Sequence, residues 1–153
     1  MKEYLKQQIE TIRDTNLAVC IVREYLQART LECLQENGAF ADWAFVGGTA
    51  LLFLYAMPRF SEDLDFTAIN ANFVFDMKML KKIVALISER TEIPLHIQSL
   101  ENLQFNNQLT GFCAKVKFWG ADHSKNQQPP EPNRWQTSIK IEIILYEKMI
   151  FEP

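Results

Sequence analysis

The spacing of apolar residues changes period several times along this chain, and each change marks an element. Thr137 to Tyr146 reads T-S-I-K-I-E-I-I-L-Y. Its alternation puts Ile139, Ile141 and Ile143 on one face of a strand and Lys140, Glu142 and Ile144 on the other. Gly111 to Trp119 alternates in the same way, sending Phe112, Ala114, Val116 and Phe118 inward, and Ile93 to Ser99 reads as a further strand. Ala44 to Val46 is a short apolar run that ends at Gly47 and Gly48. Helical spacing takes over from Asn72 to Arg90, with Asn72 as cap and Val74, Met77, Leu80, Ile83, Val84 and Ile87 as the apolar stripe. Lys2 to Asn37 reads as one long helix or two consecutive ones, with Asp14 to Asn16 a break and Gly38 a stop. Its buried stripe is expected at Leu17, Ile21, Leu31 and Leu34. A polar, Pro-rich loop fills Gly120 to Arg134.

These elements predict an α/β (α+β) fold: a mixed, mostly antiparallel sheet flanked by helices, with the acidic residues on its open side. No internal repeat or long linker divides the chain, so residues 1–153 read as a single domain, with a helical segment over 1–38 and a core over 43–146. A content of 48% hydrophobic residues, eleven Phe among them, is enough to bury such a core. No apolar stretch approaches the roughly 20 residues that span a bilayer. The first residues also lack the charged-then-apolar order of a secretory signal, and a cytoplasmic protein is expected.

Charge and cysteine usage narrow the chemistry. A net charge of −3 and a pI near 5.4 argue against broad, non-specific nucleic-acid binding, although Lys78, Lys81, Lys82, Lys115 and Lys117 could line a local basic groove. Cys20, Cys33 and Cys113 lack paired metal spacing and read as buried thiols, and His96 and His123 are too isolated to argue for zinc.

The stretch from Trp43 to Phe66, W-A-F-V-G-G-T-A-L-L-F-L-Y-A-M-P-R-F-S-E-D-L-D-F, holds the strongest signals. On a strand Asp63 and Asp65 project the same way while Leu64 and Phe66 face the core. Their backbone positions lie about 6.6 Å apart, a separation that can serve two cations about 3.5 to 4 Å apart. Left unpaired, the two carboxylates repel by on the order of 2 to 3 kcal/mol, which a divalent cation reverses. Hard oxygen ligands suit Mg²⁺ or Mn²⁺. The competing reading is a solvated acidic turn formed by Ser61, Glu62, Asp63 and Asp65.

Upstream, Gly47 and Gly48 let the backbone approach a phosphate, and Thr49 caps the following helix and adds a hydroxyl. An ordinary strand-to-helix turn explains the same letters. Pro58 ends that helix, and Arg59 could hold a triphosphate or pair with Glu62 or Asp63. Glu142, the acid of the last strand, needs a cation or a cleft: a metal ion, or an ion pair with Lys140, Lys115 or Lys117.

Together, G-G-T-A-L at Gly47 to Leu51 and R-x-S-x-D-x-D-F at Arg59 to Phe66 resemble the AbiEii type of nucleotidyltransferase, the toxin half of bacterial type IV toxin–antitoxin pairs. This type is itself similar to the DNA polymerase beta superfamily. The resemblance extends to I-K-I-E-I at Ile139 to Ile143. It implies that residues 43–146 are a catalytic core in which Asp63, Asp65 and Glu142 bind Mg²⁺ or Mn²⁺. It also implies that Gly47, Gly48 and Thr49 cradle the triphosphate of an NTP, with Arg59, Ser61 and Lys140 in support. Nucleoside monophosphate would pass to an RNA acceptor such as a tRNA end, or to a protein, and a cognate antitoxin would be the partner.

Relatives of this type continue past the third acid into a helical region whose aspartate and lysine help bind nucleotide, whereas Pro153 follows Ile143 by ten residues. The expectations are therefore a truncated or minimal version of the enzyme, a helical partner chain that supplies the missing wall, or a catalytically silent nucleotide-binding module. Nucleotidylation of a small molecule such as an antibiotic shares the same core and differs in acceptor.

Overall fold

The computed structural model describes residues 7, 15–38, 43–46, 63–68, 74–119 and 130–145. Its elements in chain order are α1 (Thr15–Glu36), β1 (Trp43–Val46), β2 (Asp63–Ala68), α2 (Met77–Thr91), β3 (Leu95–Phe105), β4 (Gln108–Phe118), a 3₁₀ turn (Pro132–Arg134) and β5 (Thr137–Leu145). The strands form one sheet in the order β1-β2-β5-β4-β3. β2 and β5 are parallel and the other neighbouring pairs antiparallel, the mixed, mostly antiparallel sheet that the patterning predicts.

Period-two alternation in β2, β4 and β5 aligns one apolar row per strand on a common face. Leu64, Phe66 and Ala68 of β2, Phe112, Ala114, Val116 and Phe118 of β4, and Ile139, Ile141 and Ile143 of β5 are all buried there. Helices α1 and α2 close over that face with Val22, Leu26, Cys33 and Leu34, and with Leu80, Ile83 and Ile87. Phe75 meets Phe112 edge-on at 6.4 Å, a geometry that adds to burial. Two contacts tie the helices to their surroundings. Arg90 pairs with Glu36 and lies 3.7 Å from Glu32, joining α2 to α1. Arg23 Nε donates to the Ser138 carbonyl at 3.1 Å, joining α1 to the start of β5.

Several local expectations are corrected. The buried side of α1 is Ala18, Val22, Leu26, Cys33 and Leu34, with Gln27 and Thr30 buried beside them, whereas Leu17 is exposed and Ile21 and Leu31 are partly buried. Apolar residues occur all round this helix, so spacing alone does not select a face. Thr30 is accommodated because its hydroxyl donates to the Leu26 carbonyl at 2.7 Å. The stop at Gly38 is present: it takes φ +75°, and its N–H donates to Gln35 at 3.1 Å.

Helix α2 starts at Met77, five residues after the expected cap at Asn72, which lies outside the described residues. Asp76 is the cap instead, its carboxylate accepting from the Met79 N–H at 2.8 Å. Val74 therefore precedes the helix and is 62% exposed, and the adjacent Phe75 takes the core position.

β3 and β4 run longer than predicted and join through Asn106 and Asn107, at φ 50° and 63°. Two left-handed residues make the tight turn whose twist matches a hairpin, and asparagine tolerates that region. The segment from 120 to 129, including His123, lies outside the described residues.

Candidate active site on the acid face

Because β2 and β5 are parallel neighbours, their register decides which side chains meet. Asp65 pairs with Glu142, and Asp63 pairs with Lys140. All four project from the face opposite the helix-packed core, since Leu64, Phe66, Ile141 and Ile143 occupy the other side. Adjacent strands lie about 4.8 Å apart, so the three acids share one patch although 77 residues separate Asp65 from Glu142 in the chain.

β4 and β3 extend the pattern into rows across the sheet. One row is Glu101, Cys113, Glu142 and Asp65; the next is Ser99, Lys115, Lys140 and Asp63. An acidic row thus lies beside a row with two lysines. Lys117, one step further along β4, is half-buried and donates to the Asn133 carbonyl at 3.3 Å. Lys78, Lys81 and Lys82 lie on α2, which packs against the other face, so they do not join Lys115 and Lys117 in one groove.

The electrostatics follow from this crowding. Burial raises Asp65 above the ordinary aspartate range, and the negative charges of Asp63 and Glu142 push it further the same way, with Lys140 opposing. Lys140 Nζ lies 3.1 Å from Glu142 Oε2, both side chains being partly exposed. That hydrogen bond is the main cause of the raised Lys140 pKa, with Glu142 and Asp63 adding coulombic support. Of the partners weighed for Glu142, Lys140 is therefore the one it meets. The Cys113 thiol, buried in the acidic row, is raised chiefly by desolvation.

Donor chemistry and placement suit a hard divalent cation: three carboxylates on two adjacent strands, side by side on one face of the sheet. As the side chains stand, no three or more His, Cys, Asp or Glu residues among the described residues converge on one point. The Glu142 carboxylate is instead paired with the Lys140 ammonium. Gly47, Gly48, Thr49, Arg59 and Ser61 lie outside the described residues. Sequence reasoning missed Cys113 and Glu101 as neighbours of the acids. Cys113 sits among the inward-facing residues Phe112 and Ala114, and its place in the acidic row depends on the pairing of β4 with β5.

No curated protein sequence matches the chain. A crystal structure of a candidate nucleotidyltransferase from H. pylori is similar at 20% identity and a TM-score of 0.48. That match covers 82% of this chain and 44% of the other, so the chain spans under half the length of that protein. A family model for the nucleotidyl transferase AbiEii toxin of type IV toxin–antitoxin systems matches residues 29–153, a span that includes the G-G-T motif, both aspartates and Glu142. With most of its length matched by that model, the chain belongs to the AbiEii nucleotidyltransferase toxin family.

Proposed function

We propose that the acid face carries out metal-dependent nucleotidyl transfer, moving a nucleoside monophosphate from an NTP to a hydroxyl of an RNA end or of a protein. The observation that carries this reading is the register of β2 on β5, with Asp65 beside Glu142 and Asp63 beside Lys140. Asp63 and Asp65 would hold Mg²⁺ or Mn²⁺, and Glu142 would hold the ion nearer the acceptor. Bound divalent cations would supply polarisation of the α-phosphate and neutralisation of charge on the departing pyrophosphate.

The chain's own groups would do the rest. The Glu142 carboxylate is the base at hand for the acceptor proton. Gly47 and Gly48 offer backbone N–H groups and Thr49 a hydroxyl to the triphosphate, with Arg59 and Ser61 in support. Lys140 adds positive charge beside Asp63 for the phosphates. Positioning and charge stabilisation supply most of the acceleration in such an arrangement. Family membership further supports a cognate antitoxin as partner and a bacterial setting.

Incubation with each labelled nucleoside triphosphate, Mg²⁺ and total RNA or cell extract tests the reading. Label should pass to an acceptor with the wild type and not with Asp63→Ala or Asp65→Ala. Triphosphate binding without transfer to any acceptor would point instead to a nucleotide-binding module.

A further inference from the structure

Lys140 holds a position that a metal ion would contest. Its Nζ is 3.1 Å from Glu142 Oε2, and its backbone is paired with Asp63. On its other side it is paired with Lys115 of β4. Its ammonium sits with the acids: it bonds Glu142, and the charges of Glu142 and Asp63 favour it there.

We propose that Lys140 is a displaceable counter-ion: it holds the Glu142 carboxylate in the metal-free protein, must release it for a divalent cation to bind, and then turns its ammonium to the triphosphate. This rests on the metal-site reading above. A lysine suits the task because its compact charge rides on a flexible four-carbon stem, whereas a guanidinium would form a stiffer, forked pair. A carboxylate committed to an ammonium gives up that bond before it joins Asp63 and Asp65 around an ion. An incoming triphosphate compensates by offering the freed ammonium a new anionic partner. Metal and nucleotide then favour each other's binding, and by linkage the coupling is reciprocal.

Binding of Mn²⁺ to the full chain, followed by electron paramagnetic resonance without nucleotide, tests this directly. Lys140→Gln should bind Mn²⁺ about tenfold more tightly than wild type, within the usual range of such couplings, and Lys140→Arg should not. In a Glu142→Gln background the Lys140→Gln gain should vanish, because the competition runs through that carboxylate. A gain that persists there would mean general charge reduction and would overturn the proposal. Mass-spectrometric amine labelling gives an independent readout: saturating Mn²⁺ should speed labelling of Lys140 several-fold and leave Lys78 and Lys81 unchanged. Mn²⁺ binding with no change at Lys140 would overturn the counter-ion role alone. Absence of Mn²⁺ binding to wild type and Lys140→Gln alike would overturn the metal-site reading and this inference with it.

Discussion

The two faces of the sheet are cut from the same strands yet obey opposite rules. On the helix-covered face Phe66, Phe118 and Ile143 are fully buried, and each gains about 1.5 to 3 kcal/mol from leaving water. On the acid face Asp65 and Glu142, next in sequence to Phe66 and Ile143, bring like charges together, and burial there pushes Asp65 above its ordinary pKa. One face stabilises the fold. The other is tolerated by it, and strain of that kind gathers where chemistry is done. The contrast teaches that a strand can serve both ends at once, because consecutive residues point to opposite faces of the sheet.

The comparison is broken most sharply by separating activity from stability. Asp65→Ala should lower nucleotidyl transfer by about 10³-fold or more, the scale expected when transition-state charge loses its support. Its thermal midpoint should not fall, as melting followed by circular dichroism would reveal. Phe66→Ala, one residue along, should do the reverse. A cost of about 3 to 5 kcal/mol is expected in denaturant unfolding, from lost burial and the cavity left behind.

A glycine on the acid face offers an intermediate test. A Cβ at Gly111 would lie 2.3 Å from the Ile143 carbonyl oxygen, a backbone atom with little freedom to yield. Gly111→Ala should cost about 1 to 3 kcal/mol by overpacking, read as a lower denaturation midpoint. Away from both faces, Asp76→Ala should cost about 1 kcal/mol by removing the α2 cap.

The smallest effect concerns pH. Asp65 has a folded pKa raised above its unfolded value, so the folded state keeps a proton that the unfolded chain has already lost. Its contribution to metal-free stability is therefore fully present below the unfolded pKa and is lost as pH rises through the folded pKa. Asp65→Asn should remove that slope and raise the midpoint slightly at neutral pH while abolishing transfer. Unfolding curves across the acid range in the presence of a chelator would check it.

Much of this was legible in the residues themselves. Alternation in Thr137 to Tyr146 assigned Ile139, Ile141 and Ile143 to the core and Glu142 to the other face, and the structure agrees. The D-x-D spacing put Asp63 and Asp65 on one side by the same rule. The helices were harder. α1 is apolar all round, so its buried side depended on where the sheet lay, and the α2 start turned on a single capping bond from Asp76. The Asn106–Asn107 turn was not read from the sequence, which was expected to form strands only up to Ser99 and again from Gly111; the two left-handed asparagines emerge in the structure.

By itself, then, the sequence determined which residues alternate, which family motif they form and which side of its own strand each acid takes. Those are local properties, set by covalent geometry with a period of two. The tertiary structure decided that β2 and β5 lie side by side in parallel with Asp65 opposite Glu142, and that Lys140 holds the glutamate. Alternation forbids a one-residue slip, but which residue of β5 stands opposite Asp65, 77 residues away, depends on the whole core closing over the opposite face.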